Sequence, residues 1–341
     1  MNADQPPAEQ PQYFYFGGGY SGSGTPITGI AVANGVATPI PGSPFTVTQA
    51  SNGYQIAAAG DLIFTFDTTG TLLSWRVDPQ SGTLTQIRAS NPILGNLSID
   101  PSYQFIYGFP SNVPNNNIYG YSINHQTGGL TPLQGSPFVY SVPMEGPGAF
   151  SLGGAWMCVG TFDGPGAPAT PFCSERDPKT GALLTGLNDQ VFSTGIDVLL
   201  LGPFLSSDYL LATGSFAGAG IFQLSSSGIQ QMASYPELTG TTVADQSGTL
   251  VASDNGTTIT LFSFDPTSLS LTQDAQVTPS WSPAGLRFSC DGKYLAVFHF
   301  PLVNYVSIFA VSSNSLTEIT GSPIALPNGS WSAVTSCSPP K

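Results

Sequence analysis

Apolar positions recur with period two along much of the chain. "IYGYSI" (118–123), "ITLFSF" (259–264) and "VSIFAV" (306–311) alternate large apolar with small or polar residues over six positions, which predicts half-buried β-strands rather than helices. Tight turns follow them: "VDPQSGTL", "RDPKTGAL" and "FDPTSLSL", with "NHQTGGL" as a variant. Pro sets φ at the start of such a turn and Gly accepts a positive φ near its end. A further strand comes next, and its copies read "GVATPIPGSPF", "GTLTQIRASNPI", "GGLTPLQGSPF", "GALLTGLNDQVF", "SGIQQMASYPEL", "LSLTQDAQVTPS" and "NSLTEITGSPI". In the predicted unit this "LTP" strand is the third of four.

The phrase Gly-Ser-Pro-Phe/Ile sets the period. Its prolines, Pro44, Pro137 and Pro323, lie 93 and 186 residues apart, two and four steps of 46.5. A fixed step of this size marks stacked supersecondary units. Seven units of four antiparallel strands predict an all-β, seven-bladed β-propeller, because a ring of blades covers both faces of every sheet and leaves few open edges. Small residues crowd the predicted innermost strands, "YQIAAAG", "GAFSLGG" and "TTVADQSG". The N-terminal repeat has three strands, "YFYFGG", "ITGIAVA" and "VATPIPG", and the C-terminus has one orphan inner strand, "WSAVTSCS". Together they complete a blade that closes the ring. Residues 1–11 are expected to form a flexible segment ahead of a single domain over residues 12–341.

Composition agrees with an all-β chain. Gly 40 and Pro 30 among 341 residues, with 8% charged residues, leave few positions suited to helix interiors. The net charge of −13, from 7 basic and 20 acidic residues, disfavours nucleic acid and anionic membrane surfaces as partners. No apolar run is long enough to span a bilayer. The start, "MNADQPPAEQPQ", lacks the basic and apolar regions of a signal peptide and reads as a mature end or linker stub. An extracytoplasmic location, whether secreted, periplasmic or cell-surface, is expected. Cys158 and Cys173 fall on neighbouring strands of one hairpin, where a bridge is geometrically open, and Cys290 and Cys337 occupy matching positions of two repeats. Free buried thiols remain the alternative for both pairs. The spacings match no zinc pattern, and no cofactor is expected. Sequons begin at Asn96, Asn255 and Asn328 and matter only in a glycosylating host.

The repeated "TGGLTPLQGSPF" and the stretch "LRFSCDGKYLAVF" resemble the seven-bladed lactonase-type propellers, which include 6-phosphogluconolactonase-like and muconate-cyclase-like proteins. The resemblance runs over roughly residues 12–338. In that family an inner strand often begins Gly-Pro-Arg-His, placing basic groups at the mouth of the axial channel. The matching positions here are Ser282, Pro283, Ala284 and Gly285, and a second match keeps Gly146 and Pro147 but continues with Gly148 and Ala149. Both basic positions are absent.

Lactone hydrolysis needs a base for water and a cation or hydrogen-bond donor for the oxyanion. Arg76, Arg176 and Lys179 are expected on outer strands or turns. His299 ends a second strand near the mouth and Arg287 points towards the channel or pairs within its blade; with Glu145 they are the candidate catalytic residues. His125 is expected in a surface turn at the far face. Trp281, Trp331 and Asp197 precede inner strands and are candidate ligand-binding residues, the tryptophans alternatively packing between blades. The missing Arg-His pair puts a non-catalytic binding or scaffold module first, holding a protein or carbohydrate at the channel mouth. A lactonase-type hydrolase of a sugar lactone is the alternative, followed by self-association as a subunit of an extracellular assembly.

Overall fold

The computed structural model describes residues 9–17, 26–47, 56–66, 71–92, 94, 96–109, 115–161, 171–184, 199–204, 209–214, 218–226, 228–236, 238, 240–299, 304–326 and 332–337. They form a seven-bladed all-β propeller with four antiparallel strands per blade. Blade 1 has β1 (Gln12–Gly17), β2 (Thr28–Ala33) and β3 (Val36–Pro39). Blade 2 follows with β4 (Ala57–Ala59), β5 (Leu62–Phe66), β6 (Leu72–Val77) and β7 (Leu84–Ser90). Blade 3 comprises β8 (Asn96–Ile99), β9 (Phe105–Phe109), β10 (Asn115–Asn124) and β11 (Gly129–Pro132). In blade 4, β12 (Phe138–Phe150), β13 (Trp156–Thr161) and β14 (Pro171–Glu175) precede an outer segment that opens with the Arg176–Leu183 bridge. Blade 5 holds β15 (Leu199–Phe204), β16 (Tyr209–Gly214), β17 (Gly218–Ser225) and β18 (Gly228–Tyr235). Blade 6 holds β19 (Thr242–Ala244), β20 (Leu250–Asp254), β21 (Ile259–Asp265) and β22 (Ser270–Val277). Blade 7 holds β23 (Pro283–Phe288), β24 (Tyr294–His299), β25 (Tyr305–Ser312), β26 (Ser315–Glu318) and the short β27 (Ile324–Ala325). The last strand, β28 (Ser332–Thr335), pairs with β1 and becomes the inner strand of blade 1, as the orphan strand predicts.

Apolar residues on both faces of each sheet are buried between blades rather than in one central core. Tyr15, Ile63 and Trp75 cluster between blades 1 and 2, and Phe64, Leu72 and Ile106 between blades 2 and 3. Tyr107, Phe138 and Phe172 fill the next junction, then Trp156, Cys158 and Leu210. Leu211, Ile221 and Phe264 join blades 5 and 6, Leu261, Val297 and Phe309 join blades 6 and 7, and Phe14, Phe16 and Phe298 close the circle. Each junction needs both neighbours, so the ring stands or falls together.

The seam between the two ends is stitched by more than β-pairing. The Glu9 carboxylate accepts from Asn34 N (2.8 Å), Tyr294 Oη (3.1 Å) and Lys293 Nζ (3.3 Å). The Cys290–Cys337 disulfide ties the inner hairpin of blade 7 to the second residue beyond β28. Cys158 and Cys173, directly opposite on β13 and β14, form the second disulfide.

Two repeated sequence features acquire a structural cause. The turn glycine of "DPQSG", Gly82, has φ +72° and a Cβ there would meet the Tyr13 ring of the preceding blade at 2.5 Å. Its carbonyl accepts from Tyr15 Oη (2.6 Å), and the turns of blades 4 and 6 repeat the device through Tyr107–Gly181 and Tyr235–Leu269. The Gly-Ser-Pro phrase follows the outermost strand. Counted from the axis, the "LTP" segment is therefore the fourth strand, not the third, because the inner strand opens each blade. All three Ser–Pro bonds of the phrase are cis. Its serines, Ser43, Ser136 and Ser322, accept from the backbone N–H of Gly29, Gly120 and Ile308 on the third strand. The chain then pairs back on that strand, through Phe45 with Ile27, Phe138 with Ile118 and Ile324 with Val306. The phrase is a clip on the blade rim.

Candidate active site

The inner strands β28, β4, β8, β12, β15, β19 and β23 surround the axis, so chemistry in the channel must come from their inward positions or from the loops at either end. At the end where the inner strands begin, His299 closes β24, paired with Pro283 and Tyr305. It is buried (4% exposed). Its Nε2 lies 2.9 Å from Ser307 Oγ and its Nδ1 3.4 Å from Ser282 O. A carbonyl can only accept, so Nδ1 carries the proton and Nε2 accepts from the Ser307 hydroxyl. Burial pushes the imidazole pKa below its ordinary value, and the ring is neutral at pH 7. Trp281, half-buried, meets His299 edge-on at 5.6 Å and stacks on Tyr305 at 5.0 Å and 6°. Both nitrogens of His299 are thus occupied by its own blade.

Arg287 lies on β23 opposite Ala296. Leu286 and Phe288 on either side of it are buried against blade 6, so period two turns Arg287 to the opposite side. Solvent reaches its side chain, yet protein rings it closely enough that desolvation lowers the guanidinium pKa. Among the described residues the ion pairs of Arg and Lys are Arg76–Asp61, Arg176–Asp100 and Lys293 with Glu9 and Asp291; Arg287 has none.

Tyr103, in the turn between β8 and β9, interacts with Arg287 electrostatically. Its backbone has φ +60°, a region that side chains avoid, and its N–H donates to Asp100 O (2.9 Å). The corresponding turns carry glycine: Gly154 N–H donates to Ser151 O, Gly248 to Asp245 O and Gly292 to Ser289 O, all at positive φ. Burial raises the phenol pKa, opposed by the Arg287 charge. Gln246 Nε2, from the inner turn of blade 6, approaches Tyr103 Oη to 3.5 Å. Blades 3 and 6 stand on opposite sides of a seven-membered ring, so this contact crosses the axis.

The sequence candidates are dispersed. His299 and Arg287 face opposite sides of blade 7 and are separated along it, so they form no dyad. Glu145 sits on β12 opposite Gly160. Asp197 and Trp331 lie outside the described residues. His125, in the β10–β11 turn, is half-buried and its Nε2 donates to Tyr103 O at 2.7 Å. Arg176 departs most from expectation: just after β14, it is fully buried and paired with Asp100. Tyr103, Gln246 and Asp254 were missed. "DPSYQF" against "DQSGTL" and "SCDGKY" shows a bulky residue at a glycine position, a readable signal. Asp254 lines a cavity of about 310 Å³, and its buried Oδ2 accepts no hydrogen bond, so desolvation raises its pKa. No group of three His, Cys, Asp or Glu among the described residues could hold a metal ion. No helix among them is long and apolar enough to cross a membrane.

Among the described residues the fold and site define a seven-bladed propeller whose inner strand β23 carries an arginine, Arg287, without a carboxylate partner. No family model matches the sequence, and no curated protein does. Solved structures do match it in fold along nearly its whole length. A candidate 6-phosphogluconolactonase of Bacteroides fragilis aligns at TM-score 0.71 and 13% identity, over 97% of this chain and 99% of that one. One from Bacteroides uniformis gives 0.69 and 13%, over 96% and 100%. The periplasmic gluconolactonase of Pseudomonas aeruginosa gives 0.67 and 16%, over 97% and 100%. The chain thus has the lactonase-type propeller fold that its repeats resemble. These neighbours also correct the order of functions drawn from the missing Arg-His pair. The non-catalytic binding or scaffold reading gives way to the lactonase alternative, because these full-length matches carry gluconolactonase names.

Proposed function

We propose that the chain hydrolyses a sugar lactone in its axial channel, with Arg287 as the electrophilic group. The carrying observation is the Arg287 guanidinium on the inner strand β23, exposed to solvent, without a carboxylate partner among the described residues, and with its pKa lowered by desolvation. A cation kept in that state is available to an anionic or oxyanionic ligand. The fold shared with proteins named gluconolactonases supports the same reading. Water adds to the lactone carbonyl, the carbonyl oxygen takes the negative charge against Arg287, and collapse breaks the acyl–oxygen bond of the ring. The ring oxygen leaves as a hydroxyl with a proton from the added water, the second proton passes to solvent, and Arg287 holds the product carboxylate. Arg287 serves the acyl oxygen, and among the described residues no second cation is paired with it for a phosphate, which favours an unphosphorylated sugar lactone.

The test is proton release from D-glucono-δ-lactone in a pH-stat, with the spontaneous rate subtracted. Loss of an oxyanion donor removes about 10²–10³ in kcat. Wild-type turnover that falls by this factor in Arg287→Met supports the proposal; no rate above buffer, or equal rates in the two proteins, overturns it. The two disulfides support an oxidising, extracytoplasmic compartment for the same protein. Thiol labelling of the protein taken directly from its host should find all four cysteines blocked, and four free thiols would refute that location.

A further inference from the structure

The turn between β8 and β9 breaks the rule of its sister turns. At positive φ an L-residue is strained where glycine is not, and blades 4, 6 and 7 use Gly154, Gly248 and Gly292 at that position. Blade 3 places a tyrosine there instead. The packing that Tyr103 gains is partial, since it is only half-buried beside the blade 2–3 cluster. Strained, bulky residues that packing does not explain concentrate at ligand sites.

The position of the ring supplies the explanation. Tyr103 reaches from blade 3 to Gln246 of blade 6 across the axis, at the end where the inner strands turn outward. Arg287 is the fifth residue of the six-residue β23, on the half of the strand nearer that end. The His125 Nε2–H bond to Tyr103 O, with Asp61 Oδ1 3.6 Å from His125 Nδ1, braces the turn from blades 2 and 3. The floor is therefore held from several blades, as a donor that must stay in register with a ligand requires.

We infer that Tyr103 forms the floor of the channel and donates its hydroxyl proton in a hydrogen bond to the same acyl oxygen that Arg287 attracts, so that guanidinium and phenol together make a two-donor site for a carboxylate or an oxyanion. This rests on the proposed lactone chemistry for its substrate, but not for its anion. The phenol keeps its proton at neutral pH, because burial raises its pKa and only the Arg287 charge opposes the rise. Gln246 is the positioning residue that steadies the ring.

The experiment pairs two readouts on the full chain. Gluconate, the carboxylate product, is titrated calorimetrically, and D-glucono-δ-lactone hydrolysis is followed in parallel. Tyr103→Phe keeps the ring and removes the hydroxyl; it should weaken gluconate by about tenfold and lower kcat more than it changes KM, as loss of a transition-state donor does. Tyr103→Gly removes the floor; it should melt no lower than wild type while losing gluconate binding, which separates a ligand role from a folding role. Gluconate binding and kcat unchanged in Tyr103→Phe would overturn the inference and leave the lactonase reading standing. Gluconate binding that needs both Arg287 and Tyr103, without any hydrolysis, would remove the lactonase reading and keep the anion site. A wild-type protein that binds no gluconate and hydrolyses no lactone would overturn both.

Discussion

Arg176 offers the sharpest test of how neighbouring blades are held. Its side chain and that of Asp100 are each 0% exposed, with Nη2 3.0 Å from Asp100 Oδ2. Nε donates to Tyr107 Oη at 2.8 Å and Nη1 to Gly154 O at 2.7 Å. The guanidinium also lies 4.9 Å from the Phe105 ring centroid and 5.7 Å from those of Tyr107 and Phe150. Asp100 in turn accepts from Phe105 N at 2.8 Å and from Ser102. Arg176→Met preserves much of the apolar volume and deletes the charge, leaving a dry carboxylate whose remaining partners are the donors of its own turn. Breaking a buried pair from one side costs about 3–5 kcal/mol. Urea unfolding followed by Tyr and Trp fluorescence reads that loss, and Arg176→Met/Asp100→Asn should recover a large part of it because no charge is then stranded. A loss below about 1 kcal/mol in the single variant would refute the argument, since that is the scale of a solvated pair. Equal losses in the single and double variants would show that packing around the guanidinium, rather than charge, holds the junction.

Three further outcomes follow from the packing and the buried groups. Phe138→Ala, at a ring 5% exposed beside Gly120 and Tyr107, should cost about 3–5 kcal/mol in urea unfolding, and a cost near zero would remove the rim clip from the blade's energetics. Cys290→Ser/Cys337→Ser opens a loop of 47 residues at the seam, for which chain entropy gives about 4 kcal/mol; an unchanged midpoint would mean that β-pairing and Glu9 suffice. The imidazole of His299 has its pKa depressed by burial, so the stability it supports is complete above its ordinary value of 6.5 and falls as pH drops below it. Between pH 7.5 and pH 5.5 wild type should therefore lose more stability than His299→Gln, and parallel losses would show that the ring is already solvated.

The repeats made the ring legible because period two, Gly-rich turns and the Gly-Ser-Pro phrase are local instructions, each copied from blade to blade. The same logic located the closing strand, since three N-terminal strands lacked an inner partner and "WSAVTSCS" lacked an outer one. It erred in calling the "LTP" segment the third strand, because repeats have no intrinsic origin and the phrase was easier to see than the axis. His299 was picked as a lone histidine near a strand end; only its contacts with Ser307 and Ser282 reveal that it is committed to its own blade. Arg176 looked like a turn residue because its partner, Asp100, is 76 positions away.

What the amino-acid order decided alone is the count of blades, the alternation that buries both sheet faces and the turns that accept positive φ. These depend on neighbours a few residues apart. Which side chains meet across the axis is a different matter: Tyr103 and Gln246 are 143 residues apart and belong to opposite blades. Their meeting depends on closure of the whole ring, as does the Cys290–Cys337 bond across the seam. Strand registers set where Tyr103 and Arg287 lie in the ring, and registers become definite only when every blade has packed against its two neighbours.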